Sequence, residues 1–484
     1  MQRSSSPFGV ILVTFFMCQA LAAQAPDTLW TKIYGTGSDV LFSIDQTADG
    51  GFIMSGTVGI FGDTSSYWLV RTEADGDTLW TETYGHPDSS SICQSGQLTF
   101  DGGYIMAGLG EMWLIKTDAD GDTLWTRRTG GPGGEEPVNV VQTADSGYII
   151  TGNISDEVNN AQVGLIKTDS LGITQWTKTY GGTGDEYGRF VQQTADSGYI
   201  VVAEKLVDDG TDFWLLKMEA DGDTTWTSTF SPGGGEANGV AQTADGGYAI
   251  FGLVFGTLAV HNDALPRNWL LIKTDDSGTL DWSQTYGGDG DDQSMGMINH
   301  SGGGFLLTGW FARNDTTVDL WLVRTDALGD TLWTTTVGDT GLKAGLGIVE
   351  IAEGEYAVVG ITSPRGEEIF SGWLLRFGDP AAQATIPAAG VPEAFALHAN
   401  YPNPFNPSTT IGFDLPMAAE VSLTVYDILG REVARLANRR IEAGYHRVSW
   451  NGKMSNGRDV PTGIYITRLE TPTHTQQIKM VLLK

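Results

Sequence analysis

The chain has 484 residues, of which 40% are hydrophobic, and this length allows two or more folded domains. It carries 28 basic and 59 acidic residues, a formal net charge of −31, and this acidity argues against nucleic acid and anionic membranes as partners. The simplest explanation is that the acidic surface keeps an exported protein soluble, although cationic partners or divalent ions would also suit it.

Residues 1–23 predict a secretory signal peptide, because an apolar run and a small-residue stretch ending near Ala22 follow Arg3. No other stretch is apolar enough to predict a transmembrane segment. After cleavage, Cys93 is the only cysteine of two that remains, which excludes an intramolecular disulfide. We therefore expect an exported chain that folds without disulfides.

Two aromatic marks recur through residues 24–380. The first follows glycine in most copies and stands at Phe52, Tyr104, Tyr148, Tyr199, Tyr248, Phe305 and Tyr356. The second ends the motif DTLW and its variants, at Trp30, Trp80, Trp125, Trp176, Trp226, Trp282 and Trp333. Each unit holds four short runs rich in β-branched and aromatic residues, separated by Gly/Asp turns. In the fourth unit these runs are Phe190–Thr194, Tyr199–Ala203, Trp214–Met218 and Thr224–Phe230. Seven such units predict an all-β fold, a seven-bladed β-propeller with four-stranded blades.

The two ends of the repeats predict how the ring closes. Asp27–Gly35 has the pattern of a fourth strand but has no third strand before it. Trp373–Phe377 has the pattern of a third strand but has no fourth strand after it. Pairing these two segments would complete the last blade and remove an exposed sheet edge.

Basic residues recur at one equivalent position of the repeat units, and acidic residues recur in their turns. Seven of the 17 basic residues in 24–380 occupy the same place on the third strands: Arg71, Lys116, Lys167, Lys217, Lys273, Arg324 and Arg376. A third strand is far from the propeller axis, so we expect these cations to pair with turn aspartates between blades rather than to bind one ligand. The alternating acids of Asp118–Asp122 are typical of calcium loops, but Leu171 and Leu328 replace the middle acid elsewhere while the turn glycine stays. We therefore expect the turns to be specified by backbone geometry and predict no metal.

A second group of acidic residues occupies the equivalent position that leads into the first strand of several units. It consists of Asp39, Glu135, Glu186 and Asp292, with Glu236 one place away. These carboxylates could hold a cation or perform acid–base chemistry at the channel mouth. The alternative is that they cap backbone N–H groups.

The connections between the second and third strands vary most in length from unit to unit. The long ones are Phe255–Asn268 and Phe311–Asp319. Variable loops on a rigid frame commonly bind ligands. The candidate residues are His261, Asn262, Asp263, Arg267, Trp310, Phe311, Arg313 and Asn314. The alternative for each is a solvated loop residue. No nucleophile, zinc or phosphate-loop motif occurs in the sequence, and no cofactor is predicted.

A second domain follows an Ala/Pro-rich linker at 381–395. Residues 396–484 carry 10 basic and 7 acidic residues, whereas residues 24–380 carry 17 basic and 51 acidic residues. Alternating apolar residues occur in Val421–Asp427, at His446, Val448 and Trp450, and at Ile464 and Ile466. This pattern predicts a small Ig-like β-sandwich.

Four motifs in this segment carry a resemblance. They are YPNPFNPSTTI from Tyr401, VYDILGREV from Val425, GIY from Gly463 and KMVLLK from Lys479 to the last residue. Together they resemble the C-terminal sorting domain of type IX secretion cargo. The residues that match its signal are Asn403, Pro404, Asn406, Pro407, Gly430, Gly463, Tyr465 and Lys479. The resemblance implies the type IX secretion machinery as a partner and a secreted or outer-membrane cell-surface location. The repeats resemble exported seven-bladed propeller proteins.

The leading hypothesis is a secreted or cell-surface, non-catalytic propeller that binds an extracellular glycan or protein. One alternative is a polysaccharide hydrolase or lyase that uses channel-mouth carboxylates. Another is a surface structural component without a specific ligand. Two carboxylates converging in an aromatic-walled pocket would favour the enzyme, and carboxylates engaged by backbone N–H groups would favour the binding protein.

Overall fold

The computed structural model describes residues 25–35, 37–60, 64–85, 90–109, 113–128, 135–155, 160–208, 210–255, 267–287, 290–314, 317–338, 341–364, 370–378, 395–398, 400, 405, 409–441, 444–454, 458 and 460–482. Every regular element within these residues is a β-strand, and none is a helix. The predicted signal peptide and nearly all of the predicted linker lie outside the described residues.

The repeats form sheets of four strands in chain order, except that β1 (Asp27–Tyr34) is separate from the strands that follow it. Sheet 1 contains β2 (Val40–Gln46), β3 (Phe52–Val58), β4 (Ser66–Thr72) and β5 (Thr78–Tyr84). Sheet 2 contains β6 (Ile92–Leu98), β7 (Tyr104–Leu109), β8 (Trp113–Thr117) and β9 (Thr123–Arg128). Sheet 3 contains β10 (Glu135–Gln142), β11 (Tyr148–Ser155), β12 (Ala161–Thr168) and β13 (Thr174–Tyr180).

Sheets 4 and 5 repeat this order. Sheet 4 contains β14 (Glu186–Gln193), β15 (Tyr199–Val207), β16 (Gly210–Met218) and β17 (Thr224–Phe230). Sheet 5 contains β18 (Gly235–Gln242), β19 (Tyr248–Phe255), β20 (Arg267–Thr274) and β21 (Leu280–Tyr286). In sheet 4, the first three strands are longer than the sequence predicts. A β-bulge after Gly188 lets pairing extend back to Glu186, and the second and third strands form an extended hairpin.

The last seven strands of the repeats, together with β1, form one continuous sheet with two halves. Sheet 6 is the half with β22 (Gln293–Asn299), β23 (Phe305–Asn314), β24 (Thr317–Thr325) and β25 (Thr331–Val337). Sheet 7 is the half with β26 (Leu342–Ala352), β27 (Glu355–Ser363), β28 (Ser371–Gly378) and β1. A single parallel pair, Val318 with Leu342, joins the halves.

The pairing of the two terminal strands is confirmed. β1 runs antiparallel to β28, with Trp30 opposite Arg376 and Ile33 opposite Trp373. The first strand of each sheet contacts the first strand of the next sheet, from β2 through β6, β10, β14, β18 and β22 to β26, and β26 contacts β2. The repeats therefore have an all-β, propeller-like fold.

The two aromatic marks meet between successive sheets. Each tryptophan packs against the first-mark aromatic of the following sheet with ring centroids 5.7 to 6.3 Å apart, in the pairs Trp30–Phe52, Trp80–Tyr104, Trp125–Tyr148, Trp176–Tyr199, Trp226–Tyr248, Trp282–Phe305 and Trp333–Tyr356. Such edge contacts add to the burial of large apolar area. The repeated marks therefore specify contacts between sheets.

The turn glycines before the fourth strands lie against the rings of these tryptophans. All six have positive φ, between 73° and 88°, at Gly76, Gly121, Gly172, Gly222, Gly278 and Gly329. A Cβ at any of them would lie 2.4 to 3.0 Å from the tryptophan ring of the preceding sheet. The interpretation that backbone geometry specifies these turns is confirmed, since both the dihedral angle and the close approach require glycine.

The C-terminal segment forms a sandwich of two sheets. One contains β29 (Ala396–Leu397), β30 (Thr409–Leu415) and β33 (Gly444–Trp450); the other contains β31 (Ala419–Asp427), β32 (Glu432–Ile441), β34 (Gly463–Glu470) and β35 (Thr475–Leu482). In β34 the apolar face differs from the expectation. Ile464 is 45% exposed, whereas Tyr465 and Leu469 are buried, because Tyr465 packs on Trp450 in the core.

Candidate functional site

In sheets 1 to 5 the third-strand cations are bound within their own sheet. Each buried ammonium or guanidinium contacts an aspartate in the turn between the first and second strands, at 2.5 to 3.0 Å, in the pairs Arg71–Asp49, Lys116–Asp101, Lys167–Asp145, Lys217–Asp196 and Lys273–Asp245. The expectation of pairing between blades was wrong, because the first turn and the third strand flank the second strand of the same sheet. This column is structural.

The same contact explains the glycine before the first aromatic mark. A Cβ on Gly198 would lie 2.2 Å from the carbonyl oxygen of Met218 and 2.6 Å from Lys217 Nζ. The equivalent glycines of sheets 1, 2, 3 and 5 are as crowded. The close approach of two neighbouring strands and a buried cation therefore excludes a side chain there.

Desolvation raises the pKa of the turn aspartates, but hydrogen bonds outweigh it. For Asp245, hydrogen bonds from Lys273, Thr243 and the N–H of Gly247 lower the pKa to about 2. The pKa values of the other four turn aspartates are also lowered for these reasons. These carboxylates are therefore ionised at neutral pH and committed to the cation.

Sheet 6 replaces this pair with a histidine cluster that sequence reasoning missed. His300 Nδ1 accepts the N–H of Gly302 at 2.9 Å and lies 2.9 Å from Arg324 Nη2, while Nε2 lies 2.8 Å from the Tyr356 hydroxyl. Burial and the neighbouring Arg324 charge lower the pKa of His300, and Glu350 opposes this shift. The signal was available in the sequence, because HSGGG at 300–304 departs from the pattern of sheets 1 to 5, which is T-x-D followed by Gly or Ser and then Gly.

The described carboxylates of the second acidic group, Asp39, Glu186 and Asp292, are buried and accept hydrogen bonds from the backbone. Asp39 and Glu186 are each 6% exposed, and Asp292 is 0% exposed. Each accepts a main-chain N–H: Asp39 from Gly59 at 3.1 Å, Glu186 from Gly182 at 3.2 Å and Asp292 from Ala312 at 3.0 Å. The fourth member, Glu135, begins β10, and its side chain lies outside the described residues. This arrangement is the capping alternative, and it leaves less of each carboxylate available for acid–base chemistry.

One polar network lies where sheets 5 and 6 meet. Arg267 Nε lies 2.7 Å from Asp291 Oδ1, and its Nη1 donates to Gln293 Oε1 at 2.7 Å. Gln293 in turn donates to Glu236 Oε2 at 3.3 Å. We call these four residues the Arg267 network. It presents a guanidinium, two carboxylates and an amide, which are groups that can bind hydroxyls or peptide groups.

Aromatic side chains lie beside this network. Trp310 pairs with Gln293 across β22 and β23, and it is partly exposed, as is Phe311. Phe311 packs on Trp321 at 5.8 Å, and Trp321 packs on the buried Trp269 at 4.3 Å. The candidates His261, Asn262 and Asp263, and the side chains of Arg313 and Asn314, lie outside the described residues.

A carboxylate missed by sequence reasoning points between sheets 1 and 2. Asp45 Oδ2 accepts the N–H of Leu98 at 2.8 Å, and burial raises its pKa to about 6. The equivalent residues Gln97 and Gln192 accept the same hydrogen bond with an amide oxygen. Asp45 is thus a desolvated charge where other sheets use a neutral group.

The turn acids are bound to their own backbone. Asp118 Oδ1 accepts the N–H groups of Asp120 and Asp122 at 3.0 and 2.9 Å. Among the described residues, no group of three His, Cys, Asp or Glu side chains has an arrangement that could hold a metal ion. The only cysteine of the described chain, Cys93, is buried, and burial raises the pKa of its thiol to about 12.

The sorting candidates fall partly outside the described residues, which include none of Asn403, Pro404, Asn406 and Pro407. Gly430 occupies a hairpin turn with φ of 75°, and Lys479 is exposed on β35. Gly463 begins β34, where Tyr465 donates its hydroxyl to the carbonyl of Pro461 at 2.6 Å. These residues lie on the turns and strands of the sandwich.

The C-terminal segment matches the FlgD Ig-like domain family over residues 402–474. No curated protein matches the chain. No helix that could cross a membrane occurs in the described part of the chain.

Solved structures are similar to the chain at low identity. A protein of unknown function from Dyadobacter fermentans is 12% identical, with a TM-score of 0.43, covering 73% of this chain and 100% of that one. A virginiamycin B lyase from Staphylococcus aureus, inactive and bound to quinupristin, is 10% identical with a TM-score of 0.41, covering 71% and 98%. PorZ, a surface component of the type IX secretion system of Porphyromonas gingivalis, is 11% identical with a TM-score of 0.25, covering 94% and 75%. Identities and TM-scores this low carry no argument about function.

Proposed function

We propose that residues 24–380 close into a seven-bladed propeller. Two observations support this: β1 pairs with β28, and the seven tryptophan–aromatic pairs form a circuit that includes Trp30–Phe52 and Trp333–Tyr356. Closure can be tested with Thr31→Cys and Leu375→Cys, which occupy paired positions. The double variant should form an intramolecular disulfide, while each single variant should not. Absence of the disulfide in the folded protein would contradict the ring.

We propose that residues 396–484, after a linker at 381–395, direct the protein through type IX secretion once the signal peptide of residues 1–23 has carried it across the inner membrane. The four C-terminal motifs and the FlgD Ig-like match support a separate β domain there. The test is to express the chain without residues 396–484 in a host with an active type IX system. We expect it to accumulate in the periplasm, whereas the full chain reaches the surface or medium. Surface delivery of the truncated chain would overturn the proposal.

We propose that the propeller is a binding protein and not a hydrolase. The observation that carries this is the engagement of Asp39, Glu186 and Asp292 by backbone N–H groups. A general acid or base needs a carboxyl group within reach of the substrate. The Arg267 network, with Trp310 and Phe311, supplies the binding surface for an extracellular glycan or protein.

The experiment compares binding with turnover. The mature protein is screened against a glycan array and surface-protein extracts, and hits are repeated with Arg267→Ala and Trp310→Ala. Thr83→Ala, on the exposed outer strand β5, is the control. We expect about a tenfold loss of affinity in the first two variants and none in the control. Release of product from a polysaccharide, abolished by Glu186→Gln or Asp292→Asn, would replace this proposal with the hydrolase alternative.

A further inference from the structure

Two apolar side chains stand exposed at the tip of the hairpin between β31 and β32. Ile428 is 70% exposed and Leu429 is 74% exposed, the two highest values among the large hydrophobic residues of the described chain. We call these two residues the tip pair. A third exposed residue flanks it, since Asp427 pairs with Tyr465 and Ile464, one step nearer the tip on β34, is 45% exposed. Adjoining exposed apolar residues are typical of a surface that binds a partner.

The turn that carries the tip pair is held by hydrogen bonds. Asp427 Oδ1 accepts the N–H groups of Leu429 and Arg431, each at 2.9 Å, and the Asp427 carbonyl accepts the N–H of Gly430 at 2.9 Å. Gly430 has a φ of 75°, the left-handed conformation that glycine adopts without strain. All these contacts use main-chain groups and the Asp427 carboxylate. The turn therefore fixes both apolar side chains in an outward position, and it needs neither of them.

The turns before the fourth strands of the repeats show that this geometry does not depend on apolar residues. Asp118 Oδ1 and Asp326 Oδ1 accept the same two N–H groups, two and four residues further along the chain. At the two tip positions these turns have Ala74 and Asp75, Ala119 and Asp120, Ser170 and Leu171, Ala220 and Asp221, Asp276 and Ser277, and Ala327 and Leu328. None of the six has two large apolar residues. Formation of the turn thus does not explain the tip pair, which points to recognition by another molecule.

Charge and shape favour a protein pocket as the occupant. The net charge of −31 opposes the association of two copies of the chain and its attachment to an anionic membrane. The tip itself is cationic, because the side chain of Arg431 is 74% exposed and only its Nε is engaged, by Asp427 Oδ2 at 2.6 Å. Two rigidly held side chains fit a pocket of defined shape, which a protein provides and a lipid surface does not.

We propose that Ile428 and Leu429 insert into an apolar pocket on a protein of the type IX secretion machinery, with a carboxylate at the rim of that pocket facing Arg431. This inference rests on the sorting role proposed above for residues 396–484. It names the part of that domain that the machinery contacts and the chemistry of the surface that receives it. The Arg267 network of the repeats has no part in it.

The first experiment measures delivery of the full chain in a host with an active type IX system. The double variant Ile428→Ser with Leu429→Ser should lower the ratio of surface and medium protein to periplasmic protein at least tenfold, because the pocket loses both apolar side chains. The conservative variant Ile428→Val with Leu429→Met should keep delivery within about twofold of wild type.

Two control variants remove exposed apolar residues elsewhere. Leu328→Ser changes the same kind of turn in the repeats, where the leucine is 68% exposed. Met417→Ser changes a residue of the sandwich that is 62% exposed and lies just before β31, whereas the tip pair lies just after it. Both controls should be delivered like wild type. A loss of delivery in Met417→Ser as large as in the tip variant would overturn the assignment to the tip.

The second experiment identifies what touches the tip. Leu429→p-benzoylphenylalanine in the full chain, illuminated in the same host, should form a covalent adduct with one protein that mass spectrometry identifies as a component of the machinery. Met417→p-benzoylphenylalanine should not form that adduct. Deletion of the identified component should strand the wild-type chain in the periplasm. Adducts only with lipid, or only with a second copy of this chain, would overturn the proposal.

Failure of the tip and failure of the sorting domain give different results. If the chain without residues 396–484 reaches the surface, the sorting role and this inference both fail. If that truncated chain stays in the periplasm while the tip variant is delivered normally, the sorting role stands and the tip pair is excluded. Circular dichroism and thermal unfolding establish that each variant is folded, and Ile428→Ala with Leu429→Ala replaces the serine variant if it is not.

Discussion

In sheets 1 to 5 the buried cation of the third strand meets an aspartate of the first turn, whereas in sheet 6 Arg324 meets His300. The partners in sheets 1 to 5 are 54 to 62% exposed and ionised across the neutral range. The partner in sheet 6 is a buried imidazole that must stay neutral, because its Nδ1 accepts a hydrogen bond from Gly302 and faces a guanidinium. Both kinds of pair therefore lose stability as the pH falls, but over different ranges, below pH 3.8 in sheets 1 to 5 and below pH 6.5 in sheet 6.

The largest expected effect tests what the sheets share. Gly198→Ala places a Cβ 2.2 Å from the Met218 carbonyl oxygen at a position with an ordinary backbone conformation, so the effect is purely steric. We expect a loss of about 3 kcal/mol in the free energy of unfolding, measured by chemical denaturation. Gly37→Ala, which has open space around the new Cβ, is the control and should change little. Equal stability of the two variants would remove the steric explanation of the glycine mark.

The second largest expected effect tests the stability that the ion pairs of sheets 1 to 5 contribute. Asp245→Asn leaves the buried Lys273 ammonium without its carboxylate, and we expect a loss of about 1–2 kcal/mol at pH 7, reduced because Asp245 is largely exposed. The folded pKa of Asp245, about 2, lies below its ordinary value of 3.8. Its stabilisation is therefore present above pH 3.8 and is lost as the pH falls through 2. The difference between wild type and variant should shrink over that window, and a constant difference would contradict the ion-pair account.

Converting sheet 6 to the pattern of sheets 1 to 5 sharpens the comparison. The double variant His300→Thr with Gly302→Asp rebuilds the T-x-D turn, and the new Cβ at position 302 lies 3.7 Å from Arg324 Nη2. The folded pKa of His300 is below its ordinary value of 6.5, so its contribution is present above pH 6.5 and is lost at lower pH. We expect wild type to lose about 1 kcal/mol more than the variant between pH 7 and pH 5. Parallel stability curves for the two proteins over this range would disprove the role of His300.

The smallest effect concerns Asp45. Its folded pKa, about 6, exceeds the ordinary 3.8, so ionisation opposes folding as the pH rises through 6. Asp45→Asn keeps the hydrogen bond from Leu98 without the charge and should gain about 1 kcal/mol at pH 7, with no gain at pH 4. Gln192→Glu is the mirror variant and should lose stability at pH 7 only. A pH-independent difference in either variant would show that burial of charge is not the cause.

The repeat and the strand positions could be predicted from the sequence. Alternating apolar residues and Gly/Asp turns are local signals, and they predicted the strands. The period of about fifty residues and the incomplete units at its two ends predicted that the strand of Trp30 pairs with the strand of Trp373. The candidate sites could be predicted less well from the sequence than the strands. The sequence identified the carboxylates Asp39 and Asp292 because they recur at an equivalent position of the repeat. It could not show their hydrogen bonds, because these depend on main-chain groups twenty residues away.

The sequence by itself determined the all-β repeats, the terminal strand pair and a separate C-terminal β domain, because each follows from patterns within a few residues. Only the tertiary structure decided that the cations pair within a sheet, that Tyr465 rather than Ile464 enters the core, and that His300 meets Tyr356 from the next sheet. These outcomes depend on which distant surfaces pack together and on single-residue bulges that shift register, and neither leaves a periodic signal in the chain.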